Sequence, residues 1–199
     1  MTHLPPEAGG RLLEIARGAI EVRLGGTPTA QIPLDEITRR GERPGWLVSP
    51  GASFVTLEQD SRLRGCIGTL AAHRALYEDV AHNAVAAALH DPRFPPLSQA
   101  DLARTTVEVS VLSERTPLPH TSEESVWEAL RPGTDGVVLE AGPFNRATFL
   151  PQVWEQLPDP RDFLTALKRK AELPQDWWSD DVHLETYTVE SWVEGAAHP

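Results

Sequence analysis

The chain's single cysteine lies in Leu63-Arg64-Gly65-Cys66-Ile67-Gly68-Thr69-Leu70, between two glycines. Read as a strand, the stretch alternates, with Leu63 and Ile67 on one side and Arg64 and Cys66 on the other. Same-face neighbours stand roughly 7 Å apart, so the guanidinium would favour thiolate over thiol where water is partly excluded. That is the chemistry of an activated nucleophile, and Gly65 and Gly68 would leave room for a substrate to approach. The plainer reading is that a free cysteine fills apolar space and that glycines in a strand mark a bulge.

Four further positions bear on such chemistry. Val107, Val109 and Val111 alternate with Glu108 and Ser110, which describes a strand whose glutamate points away from the valines. Near the cysteine strand, Glu108 would act as a base or pair with Arg64; otherwise it is a surface or ion-paired glutamate. Asn83 falls on an apolar helical stripe, where its amide needs partners, either as a clamp to a neighbouring loop or as a ligand contact. In Asp91-Pro92-Arg93-Phe94-Pro95-Pro96-Leu97, Arg93 is an anion contact or part of a loop-holding salt bridge. His73, just past the cysteine strand, would reach the thiol as a base or else stand exposed on a turn.

The seven histidines, His3, His73, His82, His90, His120, His183 and His198, form no His-x-x-x-His or comparable pair, so no metal site or cofactor is expected. One cysteine rules out an internal disulfide and any multi-thiolate cluster. A net charge of −11 on 199 residues argues against a phosphate backbone as the main partner, since such binding is driven by lysine and arginine. No apolar run is long enough to cross a bilayer, and the N-terminus lacks a basic segment followed by an apolar one. A cytosolic protein is therefore expected; its oligomeric state stays open.

The elements that must position these residues follow from periodicity and turn signals. Leu12, Ile15, Ala16, Ala19 and Ile20 predict an amphipathic helix from about Glu7 to Leu24, ended by Gly25-Gly26, with an extended segment around Pro28 and Pro33. Asp35 to Gly45 reads as a loop, after which Trp46-Leu47-Val48 re-enters the core. Phe54 to Leu57 is a strand, paired with the cysteine stretch across turn material at Glu58 to Ser61. Leu76, Val80, Ala84 and Ala88 predict a helix from about Arg74 to His90, and the proline-rich run after Asp91 is a stiff connector.

In the second half, Ser122 caps a helix through Leu130, and strands at Val137 to Glu140 and Ala147 to Leu150 flank a turn at Gly142-Pro143. Pro151 opens a short helix through Leu157. Phe163 to Ala171 is a helix whose Lys168, Arg169 and Lys170 suit the negative end of its dipole. Trp177-Trp178 reads as a core lid, and a single last strand runs from about Val182 to Val193. Residues after Gly195 are expected to be a disordered tail.

The stretches FVTL (54–57), LRGCIGTL (63–70), DPRFPPL (91–97), EVSVLS (108–113), ATFLPQVW (147–154) and ETY (185–187), in this order, resemble the AMMECR-type domain family, also called protein A of the AmmeMemoRadiSam system. The resemblance covers residues from about 12 to 193. It implies an α+β fold of two associated lobes with mainly antiparallel sheets flanked by helices, forming one domain over about 7–193. It also implies a genomic setting beside a radical-SAM protein and a MEMO-type protein related to extradiol dioxygenases. Its signature positions map to Arg64, Gly65, Cys66, Gly68, Asp91, Arg93, Phe94, Pro95, Pro96, Glu108 and Gln152. Two functions then stand side by side. One is thiol-dependent chemistry on a small or peptide-like substrate in a cleft around LRGCIG, with Cys66, Arg64 and Glu108 as the reacting group and Gly65, Gly68, Asn83, Asp91, Arg93 and Gln152 as binding residues. The other is a non-catalytic binding or adaptor module for those partners.

Overall fold

The computed structural model describes residues 4–25 and 44–195. The expected extended segment at Pro28 and Pro33, the Asp35 to Gly45 loop except Pro44 and Gly45, and the residues after Gly195 lie outside them. The chain is α+β and divides into two compact units, 2–112 with 190–199 and Ser113–Val189.

In the first unit, helix α1 (Ala8–Arg23) buries Leu12, Ile15, Ala16, Ala19 and Ile20, the stripe that its spacing predicts. A single helical turn, α2 (Gly45–Val48), carries Leu47 into the core. Strand β1 (Pro50–Gln59) turns back into β2 (Arg62–Gly68) through Asp60 and Ser61, both at positive φ. This two-residue turn matches the right-handed twist of the hairpin it closes. A short β3 (Arg74–Ala75) pairs with the start of β1 and leads into helix α3 (Leu76–Leu89). After the proline-rich connector, Ser98 and Asp101 form a capping box at α4 (Gln99–Leu102), and β4 (Thr105–Leu112) pairs antiparallel with the other edge of β1.

The second unit begins with β5 (Thr116–Pro117) and the Ser122-capped helix α5 (Glu123–Ala129). The hairpin β6 (Gly136–Ala141) and β7 (Asn145–Phe149) follows, then a 3-10 turn Pro151–Glu155, shorter than the expected helix through Leu157. Helix α6 (Pro160–Lys170) and strand β8 (His183–Tyr187) complete an antiparallel sheet in the order β5-β8-β6-β7. Its core is aromatic, with Trp154 stacked on Phe163 at 3.8 Å between ring centres. Lys168, expected to suit the negative end of the helix dipole, is buried, its Nζ donating to Glu123 at 2.8 Å and to the Trp177 carbonyl at 3.2 Å. A buried ammonium is tolerated only with such partners.

The single last strand that the sequence predicts is two strands. Thr188 separates β8 from β9 (Val189–Val193), which returns to the first sheet and gives it the order β2-β1-β4-β9. The alternation of side chains does not by itself reveal that a strand changes sheets. In the first unit, one sheet face is closed by α1 and α3 over Val55, Leu57, Val107 and Val109, all fully buried. The opposite face carries Thr56, Glu108 and Ser110.

Candidate functional site

Strand β1 sits between β2 and β4, and Thr56 is opposite Cys66 on one side and opposite Glu108 on the other. Directly paired residues project from the same face. Cys66, Thr56 and Glu108 therefore form one row across three strands, on the face away from the helices. The next row is Gly68, Phe54 and Ser110, and the Ser110 hydroxyl lies 2.7 Å from that of Ser191.

That row exists because the hairpin contains a bulge. Glu58 pairs with Leu63, but Leu57 pairs with Gly65, leaving Arg64 as the extra residue. Without it, the two-residue turn would place Gly65 opposite Thr56 and send Cys66 to the helix side, because a one-residue slip reverses every side chain. The bulge thus turns the thiol outward. It also breaks the expected alternation, since Leu63 joins the face of Cys66, 44% exposed, and Arg64 leaves the row.

The thiol is half-buried, and the Thr56 hydroxyl donates to Sγ at 3.4 Å. Glu108 is half-buried and accepts from the Ser110 hydroxyl at 3.3 Å. Burial pushes its pKa up; the Ser110 hydrogen bond opposes this and the Glu58 carboxylate reinforces it.

The cation that meets the cysteine is Arg93. Its Nη2 donates to the Cys66 carbonyl at 3.1 Å. Asp91 grips the same residue from its other backbone group, Oδ2 accepting from the Cys66 N–H at 2.9 Å. Asp91 also accepts from Arg93 Nη2 at 2.7 Å and Nε at 2.9 Å. The Arg93 hydrogen bond, against burial and with help from the Cys66 and Arg93 backbone N–H groups, holds the Asp91 carboxyl well below the usual carboxylate range. The Arg93 guanidinium is correspondingly raised, first by Asp91, against burial, and further by the Cys66 side chain. Arg64, by contrast, donates to the Pro95 carbonyl at 2.7 Å and lies over the Phe94 ring.

The remaining expected residues have other surroundings. A Cβ on Gly65 would collide with the Ala87 carbonyl oxygen of α3, and one on Gly68 with the Phe54 ring. Both glycines are filled in by close neighbours, so neither clears a path to the thiol. Asn83 is buried and donates to the Ser53 carbonyl at 3.0 Å, Thr69 Oγ1 at 3.1 Å and Asp79 Oδ2 at 3.0 Å. Gln152 is exposed on the 3-10 turn of the second unit. Thr56 escapes the sequence reading. Counting back from the Asp60-Ser61 turn is the signal that finds it, but only once the bulge is known. Among the described residues, no group of three or more His, Cys, Asp and Glu side chains converges to hold a metal ion, and no helix is long and apolar enough to cross a membrane.

The sequence matches the AMMECR1 family profile over residues 13–192. It is 37% identical over 178 residues to a protein of Methanothermobacter thermautotrophicus, covering 89% of this chain and 88% of that one. A protein of Aeropyrum pernix is 41% identical over 159 residues, covering 77% and 68%. The fold is similar to the crystal structure of the uncharacterized protein PH0010 from Pyrococcus horikoshii, with a TM-score of 0.78 and 31% identity over 96% of this chain and 94% of that one. With a family profile spanning nearly its whole length and relatives at this level of identity, the chain belongs to the AMMECR1 family.

Proposed function

We propose that the open face of the first sheet carries thiol-dependent chemistry on a small or peptide-like electrophile, with Cys66 as the nucleophile. The observation that carries this reading is the bulge at Arg64, which turns the only thiol away from the hydrocarbon core and into line with Thr56 and Glu108. Arg93 and Asp91 hold the backbone of Cys66 from the edge of the strand and so fix where the thiol points, and the Thr56 hydroxyl donates to its sulfur.

Strand spacing of about 4.8 Å sets Cys66 and Glu108 roughly 10 Å apart along the row, which leaves a small substrate room to lie over Thr56. Once the thiol proton has gone to water, sulfur adds to an electrophilic carbonyl carbon and an S–C bond forms. The carbonyl π pair moves to oxygen, which takes a proton from water at the far end of the row, beside Glu108.

The test is alkylation of Cys66 with iodoacetamide at pH 7, followed by intact mass. The reading expects the folded chain to label several-fold faster than the chain unfolded in urea, and Arg93→Gln to slow the folded chain. Labelling that is slower folded than unfolded overturns it. The binding-module reading would then be taken up with Arg64→Ala, which should lose a partner at unchanged melting temperature. We also propose that the domain works in the cytoplasm beside the radical-SAM and MEMO-type proteins of the family resemblance. Copurification from a strain expressing all three tests this, and separate elution at micromolar concentrations removes it.

A further inference from the structure

We infer that Arg64 and the Phe94 ring form a carboxylate-binding subsite beside Cys66, so that the electrophile taken by this face is a monoanionic, carboxylate-bearing small molecule. The inference rests on the thiol reading above and names its substrate class.

Arg17, Arg74, Arg93, Arg104, Arg131 and Arg146 each meet a carboxylate. Arg64 does not: its hydrogen-bond partner is the neutral carbonyl of Pro95. Arg64 and Arg93 lie against the same Phe94 ring, with guanidinium carbons 5.9 and 5.5 Å from its centre. Asp91 cancels the charge of Arg93 through two oxygens. A positive charge that no carboxylate pairs with therefore lies against the same ring as the guanidinium that grips Cys66, on a chain whose net charge is −11.

The geometry suits a carboxylate. A guanidinium has five N–H donors in a planar fork, and the Pro95 carbonyl engages one of its nitrogens, leaving donors for a bidentate acceptor. The ring and the carbonyl already hold the side chain, so little freedom is lost when an anion arrives. Because Arg64 is the inserted residue of the bulge, it lies at the loop side of the row rather than within it. A ligand whose carboxylate rests there directs its other end toward the thiol. A dianion such as phosphate fits less well, because a single guanidinium faces it and Glu58 and Glu108 project from the same sheet face.

The experiment compares two alkylating agents that differ only in charge. Iodoacetate and iodoacetamide are reacted with Cys66 of the full chain at pH 7.5 and low ionic strength, and the iodoacetate-to-iodoacetamide rate ratio is compared between the folded and the urea-unfolded protein. The inference expects folding to raise that ratio about tenfold. Millimolar sodium acetate should slow iodoacetate more than iodoacetamide, and 0.5 M salt should shrink the difference. Arg64→Gln should slow iodoacetate about tenfold more than iodoacetamide, with Arg64→Lys intermediate. The acetate and salt measurements use the native sequence and stand even if a variant fails to fold. A folded-state ratio equal to the unfolded one overturns the subsite while leaving the thiol reading intact, as does a raised ratio that survives Arg64→Gln. Failure of both reagents to label the folded chain sinks the thiol reading itself.

Discussion

Helix α3 is tied to the β1-β2 hairpin at both ends by an aspartate, and the two ties differ in what they leave exposed. At its first turn, Asp79 accepts from the Ser53 N–H and hydroxyl at 2.9 and 2.7 Å, from Thr69 Oγ1 at 2.9 Å and from Asn83 at 3.0 Å. Asp79, Ser53 and Asn83 are all buried. Just past its last turn, Asp91 accepts from the Cys66 N–H and from Arg93; its side chain is 1% exposed, but that of Arg93 is 54% exposed. Both ties satisfy a strand N–H with a carboxylate. The first closes over its strand residue, with the Arg74 guanidinium 3.4 Å from its outer oxygen, whereas the second keeps its cation beside a half-open thiol. A buried polar cluster can thus be packing at one end of a helix and a means of aiming a reactive group at the other.

The largest expected effect breaks the closed tie. In Asp79→Asn, the amide oxygen keeps Ser53 and Asn83 only by turning its NH2 onto Thr69 Oγ1 and the Arg74 guanidinium, and the charge that strengthened these buried hydrogen bonds is lost, at about 1–3 kcal/mol for each of two or more. Urea unfolding should show a loss of about 3–5 kcal/mol, and Cys66 labelling measured below the transition should keep the wild-type rate. A stability loss under 1 kcal/mol would mean that the two ties are not different in kind.

Asp91→Asn should cost less, about 2 kcal/mol, because Arg93 regains water when its partner is lost, yet it should change the labelling rate of Cys66. The cost also depends on pH in a defined direction. A carboxyl whose folded pKa is depressed contributes its stability above its unfolded value near ~3.9 and loses it as pH falls through the folded one. The gap between wild type and Asp91→Asn should be flat from pH 6 to 8 and narrow below about pH 4. A gap that widens in acid would assign the tie to something other than this carboxylate.

Much of this arrangement is legible in the chain. The stripe of Leu12, Ile15 and Ile20 and the valines of β4 each carry a local signal, and the structure uses each in its expected place, while the turn expected over Glu58 to Ser61 narrows to Asp60-Ser61. What is hidden is non-local. Whether Leu57 pairs with Arg64 or Gly65 depends on how α3 lies on the strand, and it is the Ala87 carbonyl against Gly65 that demands the glycine on the core side. Alternation counted through the bulge then assigns Arg64 to the cysteine's face and Leu63 to the other. The same limit applies to the break at Thr188 and to buried Lys168, whose partner Glu123 is far away in sequence. Periodicity identifies faces, but only packing fixes register.

The smallest effect concerns Glu108, the carboxylate of the open face that neither tie uses. Its folded pKa is raised, by burial first and by Glu58 second, against the Ser110 hydrogen bond. The folded chain therefore holds a proton there that the unfolded chain has already released, so stability falls as pH rises from ~4.3 through the folded value. Glu108→Gln should remove that slope, leaving a variant that gains on wild type as pH rises through this range, by about 0.5 kcal/mol or less, as suits a half-exposed position. Because one negative charge roughly 10 Å from the thiol is also removed, Cys66 labelling at pH 7 should rise by no more than about twofold. A larger rise would place Glu108 closer to the sulfur than one row of strand spacing allows. An unchanged pH slope would locate the titrating group elsewhere.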